Sequence, residues 1–396
     1  MGGPAQARHG GCLLADVKRS ARRAMPDVCE FACTGCGLRI ESDVLAWRCP
    51  QCNSALTCLP AQIGGIGEID EKQQSLWRYR VWLTCCGEPS VSLGEGWTPL
   101  VSQEFDGRLV HWKCDFLNPS GSFKDRGVAA MTNYLLARGV NSVTEDSSGN
   151  GGASLATYAA AARMLCRIYV PAETSLSKIA QIAATGSAVE YVSGPRAAVT
   201  EAAMQDPTSA YYASHNWHPM FAEGMKSIGF EIWEQLSFQA PEMIVMPVGG
   251  GSNVIGCYRA FRELHTSGLI GHMPKIIGVQ SQACDPLARA MAAGSTEPLA
   301  VTPATTVAEG ISLSNPVRGR ETLAAVRATE GAIISVPESE IRAAHSDLAR
   351  HGFYVEPTSA TAAAGLKALA SMAQHTSAQT IVVILTGSGL KTGAIA

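Results

Sequence analysis

Asn118-Pro-Ser-Gly-Ser-Phe-Lys124-Asp-Arg-Gly127 encloses one lysine among small, turn-forming residues and leads into the helix-periodic run Val128-Ala-Ala-Met-Thr-Asn-Tyr-Leu-Leu136. Pro119 and Gly121 set a turn, and Ser120 or Ser122 stands where a helix cap is needed. Most lysines are solvated surface charges. Lys124 differs because it sits near a helix start beside Phe123, where partial desolvation and the positive end of the helix dipole both disfavour its ammonium form. A neutral amine is the nucleophile that captures an aldehyde.

Outward from this turn, short apolar runs alternate with alanine-rich helical stretches. Ser142-Val-Thr144, Arg167-Ile-Tyr-Val170, Ala188-Val-Glu-Tyr-Val192, Met243-Ile-Val-Met-Pro-Val248, Lys275-Ile-Ile-Gly-Val279 and Thr380-Ile-Val-Val-Ile-Leu385 read as strands. Continuous apolar strands separated by helices define an α/β protein with parallel-rich sheets covered on both faces. Ligands then belong at the carboxyl ends of the strands. Glu68 to Leu83 is compatible with a helix, and Leu93-Gly-Glu-Gly-Trp-Thr-Pro-Leu100 marks a loop into a new domain.

Three further loops carry chemistry. Ser147-Ser148-Gly149-Asn150-Gly151 opens the helical run Leu155 to Arg163, so its backbone amides suit a carboxylate and Asn150 suits a phenolate-like oxygen. Gly249-Gly250-Gly251-Ser252-Asn253 follows the strongest strand and precedes a helix expected from Val254. Its glycines let the backbone approach a phosphate closely, while the missing lysine and missing second glycine set favour a monophosphate over a dinucleotide. Thr386-Gly-Ser-Gly-Leu-Lys391 ends the last strand, with a hydroxyl for a ring nitrogen. Each loop alone also fits an ordinary packing turn.

At the other end, Cys33-x-x-Cys36 and Cys49-x-x-Cys52 form two knuckles that supply four thiolates for tetrahedral Zn2+. With four sulfurs and no open position, the metal is expected to be structural. A metal-free ribbon or a redox pair fits the same spacing, and Cys29 and Cys58 flank the motif. The odd total of 13 cysteines does not resemble a secreted disulfide framework.

With 396 residues, 46% hydrophobic, the chain is long enough for two lobes. A formal net charge of -3 carries no footprint for nucleic acid or anionic membrane, so small metabolites are the expected partners. No apolar run nears the ~20 residues of a membrane span. A cytoplasmic location is expected. Residues 1–28 read as an extension whose only acids are Asp16 and Asp27, with Met25 as an internal start or the stretch as a transit peptide. The expected layout is extension 1–28, zinc ribbon 29–60, a large cofactor-binding domain from 61–139 and 237–396, and a small domain 140–236.

Taken together, Leu93-Gly-Glu-Gly-x-Thr-Pro-Leu100, Asn118-Pro-x-Gly-Ser-Phe-Lys-Asp-Arg126, Ser-x-Gly-Asn150, the glycine loop, Glu356-Pro-x-Ser-Ala360 and Thr386-Gly-x-Gly-Leu-Lys391 resemble the threonine synthase family. The resemblance runs from the ribbon to the C-terminal region. It implies the two-domain tryptophan-synthase-β-like fold of pyridoxal 5'-phosphate (PLP) enzymes and a homodimer. It implies that Lys124 forms the Schiff base, Asn150 meets the cofactor's 3′-oxygen, Gly249 to Asn253 hold its phosphate, and Thr386 faces its ring nitrogen. A hydroxyl there moderates the electron sink, which suits elimination and replacement better than transamination. Lys124, once freed, is the expected base at Cα.

The chain departs from the family at two positions that meet a substrate phosphate: Gly151 stands where a threonine is usual, and Phe221 where an arginine is usual. Asn216 and Lys226, with His215 and His218, are the residues available for another anion site. Conversion of O-phosphohomoserine to threonine, β-replacement on O-phosphoserine as in cysteate synthases, and threonine or serine dehydration all fit this scheme. A regulatory protein that binds PLP without turnover is the alternative of another class.

Overall fold

The computed structural model describes residues 30–41, 45–174, 176–370 and 379–391. The extension 1–28 and Cys29 lie outside them. β1 (Glu30–Cys33), β2 (Arg39–Glu41) and β3 (Leu56–Cys58) form a three-stranded antiparallel sheet in the order β2-β1-β3. Between this ribbon and the next sheet the chain is not an α-helix, contrary to expectation: Ile66–Glu68 and Leu76–Trp82 are 3-10 turns. Leu76, Trp77, Tyr79 and Trp82 are all buried there, so the segment presents apolar groups around most of its circumference and wraps the core instead of offering one helical stripe.

β4 (Leu100–Phe105) and β5 (Arg108–Cys114) are a hairpin turned by Asp106 and Gly107, both at positive φ. The helix α1 (Lys124–Leu136) follows. Next come β6 (Ser142–Glu145), α2 (Asn150–Ala161), β7 (Leu165–Pro171), α3 (Leu176–Ala184), β8 (Ala188–Val192), α4 (Arg196–Met204) and β9 (Tyr211–Tyr212). These four strands make a wholly parallel sheet ordered β8-β7-β6-β9.

The chain then returns through α5 (Pro219–Gly224) and α6 (Lys226–Gln235) to β10 (Met243–Pro247), α7 (Ser252–Thr266), β11 (Lys275–Ser281), β12 (Ala332–Val336) and, after α8 (Pro357–Ala370), β13 (Ile381–Leu385). The larger sheet is ordered β12-β11-β10-β13-β5-β4, parallel except at the β4–β5 edge. β10 and β13 are buried along their whole length, as the unbroken apolar runs require. Successive side chains serve opposite faces: Ile244, Met246, Val382 and Ile384 join one hydrophobic cluster, and Met243, Val245, Ile381 and Val383 the other.

A fully buried ion network fixes α1 to this frame. Arg126 reaches Asp115 at 2.7 Å and Glu231 on α6 at 2.6 Å, and Lys113 on β5 meets the other Glu231 oxygen at 2.7 Å. Burial alone would push the Glu231 carboxyl up, but Arg126 and Lys113 hold it down at about 2. Such a cluster sets orientation more surely than it adds stability. Here it holds the helix whose first residue is Lys124.

Candidate active site

A cavity of about 1020 Å³ lies at the carboxyl ends of β6, β10 and β13, between the two parallel sheets. Lys124 lines it from the first position of α1, with Nζ 4.6 Å from the Phe123 ring and 5.5 Å from that of Phe221. Among the described residues Nζ makes no hydrogen bond or ion pair. Burial pushes the amine down to about 8, against the opposing influence of Glu145 and then Glu356. The result is a base that is partly neutral near neutrality.

The turn before Lys124 is held differently from the expected serine cap. Phe123 occupies the cap position without any side-chain cap bond. Ser120 instead bonds the Asp125 carboxylate through its N–H at 2.6 Å and its hydroxyl at 2.5 Å, and Ser154 on α2 donates to the same carboxylate. Asn118 accepts from the Gly96 N–H at 2.9 Å and donates to the Asp115 carbonyl at 2.8 Å. Gly121 adopts φ 82°, the left-handed turn that a side chain would strain. Finally, Phe123 N–H donates to the Thr386 carbonyl at 2.9 Å and Lys391 Nζ to the Ser120 carbonyl at 2.9 Å, strapping the lysine turn to the C-terminal loop.

The sequence-predicted residues Ser147 to Gly151, Asn216, Gly249 to Asn253 and Thr386 all line the same cavity. Asn150 opens α2, and its Nδ2 donates to both oxygens of Glu356 at 3.0 Å. Burial raises the Glu356 pKa, offset first by Asn150 and then by Lys391 and Lys124. Gly251 takes φ 88° at the start of α7, which begins at Ser252 and not at Val254. Thr386 Oγ1 lies 2.9 Å from Ser359 Oγ on α8, which orients the hydroxyl.

Lys226 must be corrected. It is fully buried outside the cavity, bonded to Glu223 at 2.7 Å, Glu263 at 2.8 Å and the Trp82 carbonyl at 2.8 Å. Burial pulls its amine down, but Glu223 and Glu263 carry the pKa above the usual lysine value. A cation already flanked by two carboxylates cannot serve an incoming anion. His218 is likewise structural: its Nδ1 accepts from the Met220 N–H at 3.1 Å and caps α5, and burial, with Arg318 and Arg138, pushes it down to about 3. Phe221 is buried against α1, where a Cβ on Gly127 would fall 2.5 Å from its ring. The Gly127–Phe221 contact is therefore a matched pair of packing choices.

Sequence reading assigned no role to Glu145 or Glu356. Both carboxylates act on Lys124, yet each sits in a run of small or polar residues where nothing in spacing marks it.

At the N-terminal sheet, the Cys33, Cys36, Cys49 and Cys52 sulfurs lie within 4.8 Å of one another, with Cys33–Cys52 at 3.4 Å and Cys36–Cys49 at 3.7 Å. Tetrahedral zinc with Zn–S near 2.3 Å needs sulfurs about 3.8 Å apart. The donor set and spacing fit that ion.

The cavity fits PLP on equal grounds. It has a bare amine for the aldehyde and the glycine turn before the first-turn N–H groups of α7 for the phosphate. Residues 91–387 match the family model described as pyridoxal-phosphate dependent enzyme, and the chain belongs to that family. Within it the chain is similar to threonine synthases. That of Methanosarcina acetivorans is 34% identical over 376 residues, covering 91% of each chain. That of Methanocaldococcus jannaschii is 31% identical over 373 residues, covering 91% of this chain and 92% of the relative. That of Mycobacterium leprae is 33% identical over 309 residues, covering 76% and 83%. Among solved structures, maize serine racemase superposes with a TM-score of 0.65 at 22% identity, over 74% of this chain and 88% of that one. The processed form of threonine deaminase isoform 2 from Solanum lycopersicum gives 0.64 at 23% identity, over 74% and 79%. The chain is a PLP-dependent lyase acting on an amino acid, threonine synthase-like in sequence. No helix among the described residues is long and apolar enough to cross a membrane.

Proposed function

We propose that this lyase eliminates or replaces an oxygen leaving group at the β or γ carbon of an amino acid, with O-phosphohomoserine conversion to threonine as the leading instance. The observation that carries the reading is Lys124: an amine without an ion pair among the described residues, held down at about 8, lining one cavity with the glycine turn. Bound there, PLP supplies the electron sink that acidifies the substrate's Cα–H. Lys124 would hold the aldehyde until the substrate's amino group displaces it, and the freed amine would be the base placed at Cα, since a base of this strength matches neutral pH. Gly249 to Asn253 would hold the phosphate through the start of α7, Thr386 would serve the ring nitrogen, and Asn150, turned from Glu356, would serve the 3′-oxygen. Ser147 to Gly151 bind the substrate carboxylate at the start of α2, with Asn216 beside them. The 34% identity over nine-tenths of both chains supports the threonine synthase reading.

Gly151 and Phe221, in place of the usual threonine and arginine, favour a second reading in which the leaving group is a plain hydroxyl or the phosphate of O-phosphoserine. A screen of O-phosphohomoserine, O-phosphoserine, threonine and serine, followed by phosphate, ammonia and amino-acid product, decides between them. Borohydride reduction with peptide mapping is expected to find the pyridoxyl group on Lys124; its absence there would sink the enzyme reading.

The four cysteines, we infer, hold a structural Zn2+, and the enzyme works as a homodimer in the cytoplasm. Their spacing supports the metal and the family resemblance supports the dimer. Elemental analysis is expected to give one zinc per chain, lost in Cys33→Ser while the PLP absorbance persists. Sedimentation equilibrium tests the dimer.

A further inference from the structure

β6 ends at Glu145, and the loop after β9 carries His215. His215 Nδ1 bonds the Glu145 carboxylate, and the His215 backbone N–H donates to the same oxygen at 3.0 Å. Glu145 is completely buried, and its second oxygen has no hydrogen-bond partner among the described residues. The imidazole, by contrast, lines the cavity.

Gly151 makes the room. A Cβ at that position would fall 2.5 Å from His215 Nδ1 and 2.7 Å from Cε1, so a threonine at 151 and this ring cannot coexist without a shift. The ring also meets Phe221 edge-on at 5.7 Å, and Phe221 stands beside Lys124 Nζ. The two departures from the family pattern, glycine at 151 and phenylalanine at 221, therefore both border the same imidazole. With Nδ1 engaged by a carboxylate, Nε2 is the nitrogen left for a ligand.

We propose that His215, oriented by Glu145, is the specificity-determining residue that donates a hydrogen bond from Nε2 to the oxygen of the substrate's leaving group. The inference rests on the lyase reading above. It assigns to one imidazole the work that a hydroxyl at 151 and a guanidinium at 221 would share, and it names the ligand class as an oxygen leaving group, phosphate or hydroxyl. Glu145 fixes the orientation of the ring through Nδ1. Lys124 remains the base at Cα, so the proton abstracted and the oxygen expelled are handled by different side chains.

Exchange of the Cα hydrogen in D2O reports Lys124 alone, whereas release of phosphate or ammonia reports expulsion as well. The holoenzyme is compared with His215→Ala, His215→Gln and Gly151→Ala on the four amino acids of the screen. His215→Ala is expected to lower expulsion about tenfold to a hundredfold, the loss of a hydrogen bond to a charged group, while Cα exchange and PLP absorbance stay within about twofold. His215→Gln retains an N–H donor and should recover part of the loss. Gly151→Ala adds a good helix former yet displaces the ring, so it should lower the ratio of expulsion to Cα exchange as His215→Ala does with the imidazole still present, any loss of carboxylate binding being common to both readouts. Exchange and expulsion falling in parallel, or neither falling, would overturn the assignment. A wild-type chain that exchanges no Cα hydrogen with any of the four would overturn the lyase reading along with it; exchange without any dependence of expulsion on His215 would overturn only the inference.

Discussion

Lys124 and Lys226 each occupy the first position of a helix, each in a run rich in glycine and small residues, and tertiary structure gives them opposite fates. Lys226 lies between Glu223 and Glu263, and its pKa is raised. Lys124 lines a cavity with the Phe123 and Phe221 rings beside it, and its pKa falls to about 8. Burial acts on both amines in the same direction. What separates them is the carboxylate at contact distance: a direct ion pair outweighs desolvation, whereas the more distant influence of Glu145 and Glu356 does not. A lysine built to react is one that the fold has declined to pair.

Lys124→Ala probes the reactive side of this contrast most severely. Turnover is expected to fall by about 10²–10⁴-fold from loss of the acid–base group alone, with the denaturant midpoint nearly unchanged because no ion pair is broken. A large stability loss would erase the distinction. Lys226→Met tests the other side: it strands the buried Glu263 carboxylate and leaves Glu223 to Arg259 and the Thr84 N–H, and about 3–5 kcal/mol of stability should disappear in urea titrations. A variant that unfolded normally but lost substrate affinity would return Lys226 to the active site.

Proton linkage sharpens the comparison further. At pH 7 about a tenth of a lysine titrating near 8 is neutral, against about one in 2,500 for an ordinary lysine, so PLP capture by the cofactor-free protein should be about 200-fold faster than by a model amine of equal nucleophilicity. Its rate should climb tenfold per pH unit and level off above about 8. Because this folded value lies below the unfolded one, the unfolded chain binds more protons between about 8 and 10.4, and Lys124 makes the cofactor-free fold more stable as pH rises through that window. Lys226 has the reverse sign: its contribution is complete below about 10.4 and is lost as pH rises beyond that value.

The smallest expected effect concerns the ribbon. Trp47 packs edge-on against Tyr212 at 5.0 Å and Trp217 at 5.6 Å, on either side of the loop bearing His215 and Asn216. Arg318 adds bonds at 2.8 Å to both the Leu56 and Trp217 carbonyls. Trp47→Ala should cost about 1–3 kcal/mol for two aromatic contacts, and it should raise the substrate KM more than it lowers kcat. An unchanged KM would mean that the ribbon does not steady that loop.

Much of this was legible in the chain. The apolar runs at 243–248 and 380–385 announced strands buried on both faces, and β10 and β13 are those strands. The glycine loop and the Lys124 turn could be read because the backbone shapes they need admit few residue types. Lys226 and the serine caps differ from expectation for a common reason: a polar side chain beside a glycine is equally suited to a ligand and to an internal partner, which local pattern does not reveal. Glu263 is 37 residues from Lys226, and no local pattern points to it. The 3-10 turns at 66–82 were missed because burial on several faces replaced the single stripe that a surface helix would need.

By itself, then, the sequence determined the local devices: which segments are strands, where the backbone must turn sharply, which four thiols share a ribbon, and which lysine stands in an enclosed turn. These depend on covalent geometry and on side-chain periodicity, both of which act over a few residues. Only the tertiary structure decided which charges are neutralised and which are left exposed to the cavity. It set Glu223 and Glu263 on Lys226, Glu145 on His215, and Glu356 on Asn150. Electrostatic identity depends on distance through space, and folding alone brings those residues within contact of one another.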